Sequence, residues 1–254
     1  MKIALFSDIH ANLPALEAFF KDLDNRKPDA TYCLGDLVGY NIWPNEVINE
    51  IRKRNIPTIE GNYDQGVGRT GDDCGCAYKT DLDKSNGEQS IAYTNSVVKP
   101  DERKYLRTLP SHIRLEYQPN KEKFNLLMVH GSPRKINEYL FVDREEKSML
   151  RIMEQADAHI MLFGHTHKPY HRILKDEKGN FRHAINIGSV GKPKDGDPRG
   201  CYVLLTLDET FSLSKSDSFK VEFVRFEYDV EKAAKAVEDS PLPNDFADML
   251  RKGV

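Results

Sequence analysis

Apolar positions in the first sixty residues alternate between short continuous runs and helical spacing. Residues 2–7 read as a strand, and residues 13–25 place Leu13, Leu16, Phe19, Phe20 and Leu23 on one helical face. Residues 31–34 form a second apolar run. Pro44, suited to a first helical turn, opens a helix to about residue 54, and residues 57–60 read as a third strand. Strand and helix in this order imply parallel pairing with crossover helices.

Periodicity then stops. Residues 61–87 are polar and glycine-rich, and so long an irregular connection inside a compact domain is commonly functional. The part from about 65 to 87 is expected to be a lid or wall. Helices are expected over 88–97 and 100–108, and over 144–156 with Asp143 as N-cap. Strands are expected over 113–117, 124–129, 159–163, 171–174, 181–187, 201–207 and 220–228, with a hairpin turn at 175–180. Two short helices, 230–239 and 244–252, make a C-terminal tail over about 230–254. So many strands exceed a comfortable single sheet, and wide sheets tend to split into two packed layers. The expected fold is α/β, a four-layer α-β-β-α sandwich of two packed mixed β-sheets flanked by helices. No repeat or linker divides residues 1–254, so one domain is expected.

Composition narrows the class. The chain has 254 residues, 39% hydrophobic and 30% charged, which suits a soluble globular protein able to bury a large core. A net charge of −3 gives no electrostatic reason for a nucleic-acid or membrane partner. No apolar run approaches the roughly 18–20 residues that span a bilayer, and Ile3 to Phe6 is too short for a signal-peptide core. Four cysteines suit a reducing compartment, so a cytoplasmic location is expected.

Chemistry enters where the strands stop. Five apolar runs end on metal-binding side chains: Asp8-Ile9-His10, Gly35-Asp36, Gly61-Asn62-Tyr63-Asp64, His130-Gly131 and Gly164-His165-Thr166-His167. The carboxyl ends of strands in an open α/β sheet face one crevice, so these groups are expected to converge. Taken singly, His130 could be a core histidine, Asp36 a helix cap and Asn62 a turn residue. Seven such readings would have to hold together for the metal reading to fail.

In this order the five segments resemble the signature of the calcineurin-like metallophosphoesterases, a likeness running from Met1 to about Gly191. The resemblance implies one ion held by Asp8, His10, Asp36 and His167, and a second held by Asp36, Asn62, His130 and His165, with Asp36 between them. Carboxylate, amide and imidazole suit divalent cations, manganese foremost, with iron, nickel, cobalt or zinc as alternatives. Two such ions can share a hydroxide placed in line with phosphorus, so no protein nucleophile is needed. The residue after Asn62 is often histidine in the family and protonates the leaving group; this chain has Tyr63. A phenol with an ordinary pKa of about 10 is a poor acid at neutral pH. Tyr63 and Asp64 are the candidate catalytic residues beside the ligands, either as proton donors or as wall and cap.

Lesser signals are weaker. Gly66-x-Gly68-x-x-Gly71 matches a dinucleotide fingerprint but opens no helix. Cys74 and Cys76 supply too few ligands for a closed zinc site. Arg134, Lys135, Lys192, Lys194 and Arg199 lie in loops that could rim the crevice, and Gly188-Ser189 should form a tight turn beside it. His112, His159, His171 and His183 have no motif support. The expected activity is phosphodiester hydrolysis of a small phosphorylated substrate, with nucleotides among the candidates and no membrane partner. The alternatives are a phosphomonoesterase, a protein Ser/Thr phosphatase or a non-catalytic scaffold of the same fold.

Overall fold

The computed structural model describes residues 1–118 and 122–254. Its first sheet contains β1 (Lys2–Phe6), β2 (Ala30–Cys33), β8 (Gly200–Thr206) and β9 (Lys220–Phe226) in the order β2-β1-β8-β9. The second contains β3 (His112–Tyr117), β4 (Phe124–Val129), β5 (Ile160–Phe163), β6 (Tyr170–Lys175) and β7 (Phe181–Asn186) in the order β3-β4-β5-β7-β6. Both are mixed. In the first, β1 pairs parallel with β2 and antiparallel with β8. In the second, β4, β5 and β7 run parallel, and antiparallel β3 and β6 close the edges.

Strand periodicity explains the layers. Ile3 and Leu5 of β1 join Val203, Leu205, Leu126, Met128, Leu162 and Ile185 in a core between the sheets. The alternate residues, Ala4 and Phe6, face outward against α1 (Leu13–Arg26), α7 (Val230–Glu238) and α8 (Asp245–Lys252). On the other side, Leu127, Val129, Met161 and Phe163 meet Met149, Ile152 and Met153 of α6 (Glu146–Gln155). Strands covered on both faces read as continuous apolar runs rather than alternating ones. The molecule is therefore a four-layer α-β-β-α sandwich.

Several elements differ from expectation. The third strand, 57–60, is reduced to a single parallel bridge between Cys33 and Thr58. Pro57 has no N–H to donate, and Glu60 N turns away to Pro110 O. The segment after residue 61 is helical at both ends and irregular over residues 69–80. It contains α3 (Asn62–Gly68) and α4 (Asp81–Val97), and α4 starts seven residues before the expected helix. Thr80 and Asp83 form a reciprocal capping box at its start. Gly87 interrupts the apolar pattern because Tyr78 lies where a side chain would be: an added Cβ would fall 2.0 Å from its hydroxyl. Helix α6 is capped by Glu145 rather than Asp143, because a turn at Arg144 precedes it. Helices α2 (Pro44–Lys53) and α5 (Pro100–Leu106) and the hairpin at 175–180 form as expected.

Candidate metal centre

All seven candidate ligands from the five segments meet at one end of the sandwich, and all are buried. Asp8, His10 and His167 form one group able to hold a cation; Asp36, His130 and His165 form another. Asp36 joins the groups: its Oδ2 lies 3.5 Å from His10 Nε2 and 3.3 Å from His130 Nε2. Asn62 extends the second group, with Oδ1 3.1 Å from His130 Nε2.

The loops hold these side chains under strain. Asp8, His10, Asp36, His165 and His167 all have positive φ, between 50° and 63°. Left-handed backbone at a non-glycine residue costs of order 1–3 kcal/mol and persists where surroundings over-determine it. Here backbone bonds do so: Asp8 N donates to Gly35 O, His10 N to Asp36 O, and Gly191 N to Asp8 O. The expected turn at Gly188-Ser189 contributes, since Ser189 Oγ donates to Asp8 O at 2.8 Å.

The histidine rings are aimed through their rear nitrogens. His10 Nδ1 meets Val38 O at 2.9 Å, His130 Nδ1 meets Leu34 O at 2.8 Å, and His167 Nδ1 meets Lys192 O. A ring that donates from Nδ1 to a carbonyl presents an Nε2 lone pair. Yet His10 Nε2 and His167 Nε2 face each other at 3.2 Å, and His167 Nε2 faces Asp8 Oδ1 at 3.2 Å. Asp8 Oδ1 and His165 Nε2 have no hydrogen-bond partner although both are buried. Acceptors crowded against acceptors are unfavourable unless a cation lies among them. The donor set fits divalent cations.

Charge states point the same way. Burial raises the Asp36 carboxyl, but His130, with His10 and His165, more than offsets this and holds it below the usual range. Burial, aided by Asp36, raises Asp8. Burial pulls His10 and His165 down to about 3. His130 is opposed by burial too, yet Asp36 and Asp8 drive it up to about 10.

Tyr63 and Asp64 lie behind the ligands. Tyr63 is 1% exposed, its ring edge-on to His10 at 5.4 Å and its hydroxyl without a hydrogen-bond partner. Burial pushes its phenol well above the ordinary value. Both Asp64 oxygens accept from backbone, Oδ1 from Leu37 N and Oδ2 from Gly61 N, each at 2.9 Å. That is a cap joining two ligand loops.

Of the five basic residues, Lys192 and Lys194 approach the centre. The Lys192 amine is buried over the Tyr40 ring at 4.8 Å, and that of Lys194 lies over the same ring at 5.8 Å. Arg134 is paired with Glu138 and Arg199 with Asp197. The unassigned histidines bond elsewhere: His171 with His183, His159 with Asn125, and His112 with Ser111. Gly66 and Gly68 end α3, so the glycine fingerprint opens no helix. Sequence reasoning missed Ser7, whose Oγ donates to Asp8 Oδ2 at 2.7 Å, and Tyr139, whose ring lies 4.3 Å from His165. Ser7 adjoins a ligand and could have been suspected; nothing in the loop around Tyr139 marks it.

Comparison with known proteins agrees with this geometry. The family model for the calcineurin-like phosphoesterase superfamily domain matches residues 1–210. An uncharacterised protein of Methanocaldococcus jannaschii is 34% identical, with 99% of this chain and 98% of the relative covered. The crystal structure of a metallophosphoesterase from Sphaerobacter thermophilus superposes with a TM-score of 0.74 at 26% identity, covering 100% of this chain and 99% of that one. A hypothetical protein from Pyrococcus horikoshii shares the fold, with a TM-score of 0.76 at 23% identity over 100% and 98% of the two chains. Among the described residues no helix is long and apolar enough to cross a membrane. By its sequence and by its paired polar groups, the chain belongs to the calcineurin-like phosphoesterase superfamily, and it is a metal-dependent phosphoesterase.

Proposed function

We propose that the protein hydrolyses phosphodiesters of small substrates, nucleotides among them, at a pair of divalent cations. Asp8, His10, Asp36 and His167 would hold one cation; Asp36, Asn62, His130 and His165 would hold the other. One observation carries this reading: Asp36 Oδ1 is fixed by Tyr63 N at 2.9 Å, leaving Oδ2 directed between the two histidine groups. When bound, the cations would activate water as the nucleophile at neutral pH and neutralise the phosphoryl oxygens. Ligands of carboxylate, amide and imidazole type accept manganese, iron, nickel, cobalt or zinc, and manganese is the cation we put first. The free cysteines suit a cytoplasmic location.

The chain's own groups do the positioning. Lys194 Nζ lies 5.8 Å over the Tyr40 ring, which packs edge-on to His10, so this side chain is placed to meet an anionic substrate. Two adjoining cavities reach the second group, one of about 490 Å³ with His130 in its wall and one of about 280 Å³ with Asn62 in its wall, and Gln65 and Ile136 line both. Tyr63 and Asp64 act through position, Tyr63 by backing His10 and Asp64 by joining the loops of Leu37 and Gly61.

The test is a matrix of metals against substrates: bis-nitrophenyl phosphate, nitrophenyl phosphate, cyclic nucleotides and a phosphopeptide, each with Mn²⁺, Fe²⁺, Ni²⁺, Co²⁺ and Zn²⁺. A higher kcat/KM on the diesters supports the proposal. Preference for nitrophenyl phosphate or the phosphopeptide would replace it with a monoesterase.

A further inference from the structure

Two cysteines outside the ligand set touch one of its members, one through its carbonyl and the other through its sulfur. Cys74 and Cys76 lie in the connection between α3 and α4, and both are free. Their sulfurs are 2.9 Å apart. Asn62 Nδ2 donates to Cys74 O at 3.0 Å and to Cys76 Sγ at 3.2 Å. Those two bonds decide which end of the Asn62 amide faces the second cation group, because they hold the nitrogen and turn Oδ1 toward His130. Gly75 has φ +68°, and this left-handed turn brings the sulfurs together; an added Cβ there would fall 2.6 Å from Asn137 Nδ2. The same loop is tied across the site, since Ala77 N donates to the hydroxyl of Tyr139, whose ring packs on His165. The other two cysteines, Cys33 and Cys201, are buried at strand positions and make no such contact.

We propose that Cys74 and Cys76 form a thiol–disulfide exchange site that controls how firmly Asn62 grips the second cation; this rests on the two-cation reading above. The oxidant class is a small disulfide such as oxidised glutathione. One cysteine, as thiolate, attacks a sulfur of that disulfide and expels a thiolate. The second cysteine then attacks the mixed disulfide and expels the other half. One protein S–S bond forms and one small-molecule S–S bond breaks. Two electrons pass from protein to oxidant, and the two thiol protons end on the two released thiols. Bonding draws the sulfurs closer than their present contact and makes Cys76 Sγ a weaker acceptor, so Asn62 loses one of the two partners that orient it. Loss of such an outer partner typically lowers metal affinity 10–100-fold.

The experiment equilibrates the full chain with reduced or oxidised glutathione, removes the glutathione, and measures Mn²⁺ binding calorimetrically with mass spectrometry of the Cys74–Cys76 peptide. The expected result is a peptide lighter by two hydrogens after oxidation, weakening of one of two Mn²⁺ sites by about tenfold or more, and recovery on reduction. A double variant, Cys74→Ser with Cys76→Ser, should bind Mn²⁺ identically after both treatments. If it does not fold, the reversible wild-type comparison stands alone. Free thiols after excess oxidant, or a disulfide with both affinities unchanged, would overturn the proposal. So would a double variant that loses affinity on oxidation as the wild type does. Reduced wild type that binds two Mn²⁺ but cleaves no diester overturns only the proposed substrate, whereas reduced wild type that binds none removes the two-cation reading itself.

Discussion

Gly61→Ala changes the centre without removing any ligand. Gly61 has φ −92° and ψ 173°, extended backbone that alanine adopts freely, so the substitution acts only through the new methyl group. That methyl would sit 2.1 Å from Asp36 Oδ1 and 2.3 Å from Asp36 N, where real contacts begin near 3.0 Å. Relieving the clash moves the carboxylate by about 1 Å and breaks its bond from Tyr63 N. A misplacement of about 1 Å near the chemistry can lower rate about 100-fold, or about 2.7 kcal/mol of transition-state stabilisation. A charge-assisted hydrogen bond lost from a buried site destabilises the fold by about 1.5–3 kcal/mol. The assay is kcat/KM on bis-nitrophenyl phosphate at saturating Mn²⁺, beside Mn²⁺ titration and thermal unfolding. A folded variant with wild-type kcat/KM and wild-type affinity would refute the idea that Asp36 must be held by this close approach.

Three further outcomes follow from the same geometry. Tyr63→Phe should reduce turnover modestly and equally on nitrophenyl and alkyl leaving groups, because the hydroxyl is buried and unpartnered; a loss confined to poor leaving groups would make Tyr63 the proton donor. Metal loading at pH 7 should release protons, since His130 is held protonated by Asp36 and Asp8 until cations take over their charge; calorimetry in buffers of different ionisation enthalpy reads this, and no release would contradict it. Stability should fall in mild acid through His183, which burial and His171 pull down to about 3. The unfolded imidazole binds its proton near 6.5 while the folded one does not, so stability is full above that pH and declines below it. Between pH 6.5 and 5 the loss is about 2 kcal/mol at 1.36 kcal/mol per unit. Urea unfolding of the wild type against His183→Gln checks this, and equal pH slopes would contradict it.

The fold was legible because core strands and amphipathic helices carry their periods openly, as in β4 and α1. The candidate ligands were legible because carboxylate, amide and imidazole groups punctuate apolar runs at strand ends. What failed depended on spatial neighbours. The start of helix α4 is hidden in the sequence because Gly87, placed for Tyr78, interrupts its apolar pattern, although Thr80 and Asp83 carry a readable capping signal. Residues 57–60 looked like a strand, but pairing there stops at one bridge. Left-handed backbone at five candidate ligands has no signature in side-chain pattern, nor does the contact of Cys76 with Asn62. Each arises from loops far apart in sequence pressing on one another.

The most direct measurement is anomalous diffraction at the manganese edge from crystals grown with Mn²⁺. The account predicts two peaks per chain, one among Asp8, His10 and His167, the other among Asn62, His130 and His165, with Asp36 Oδ2 touching both. A single peak, or peaks remote from Asp36, would contradict it.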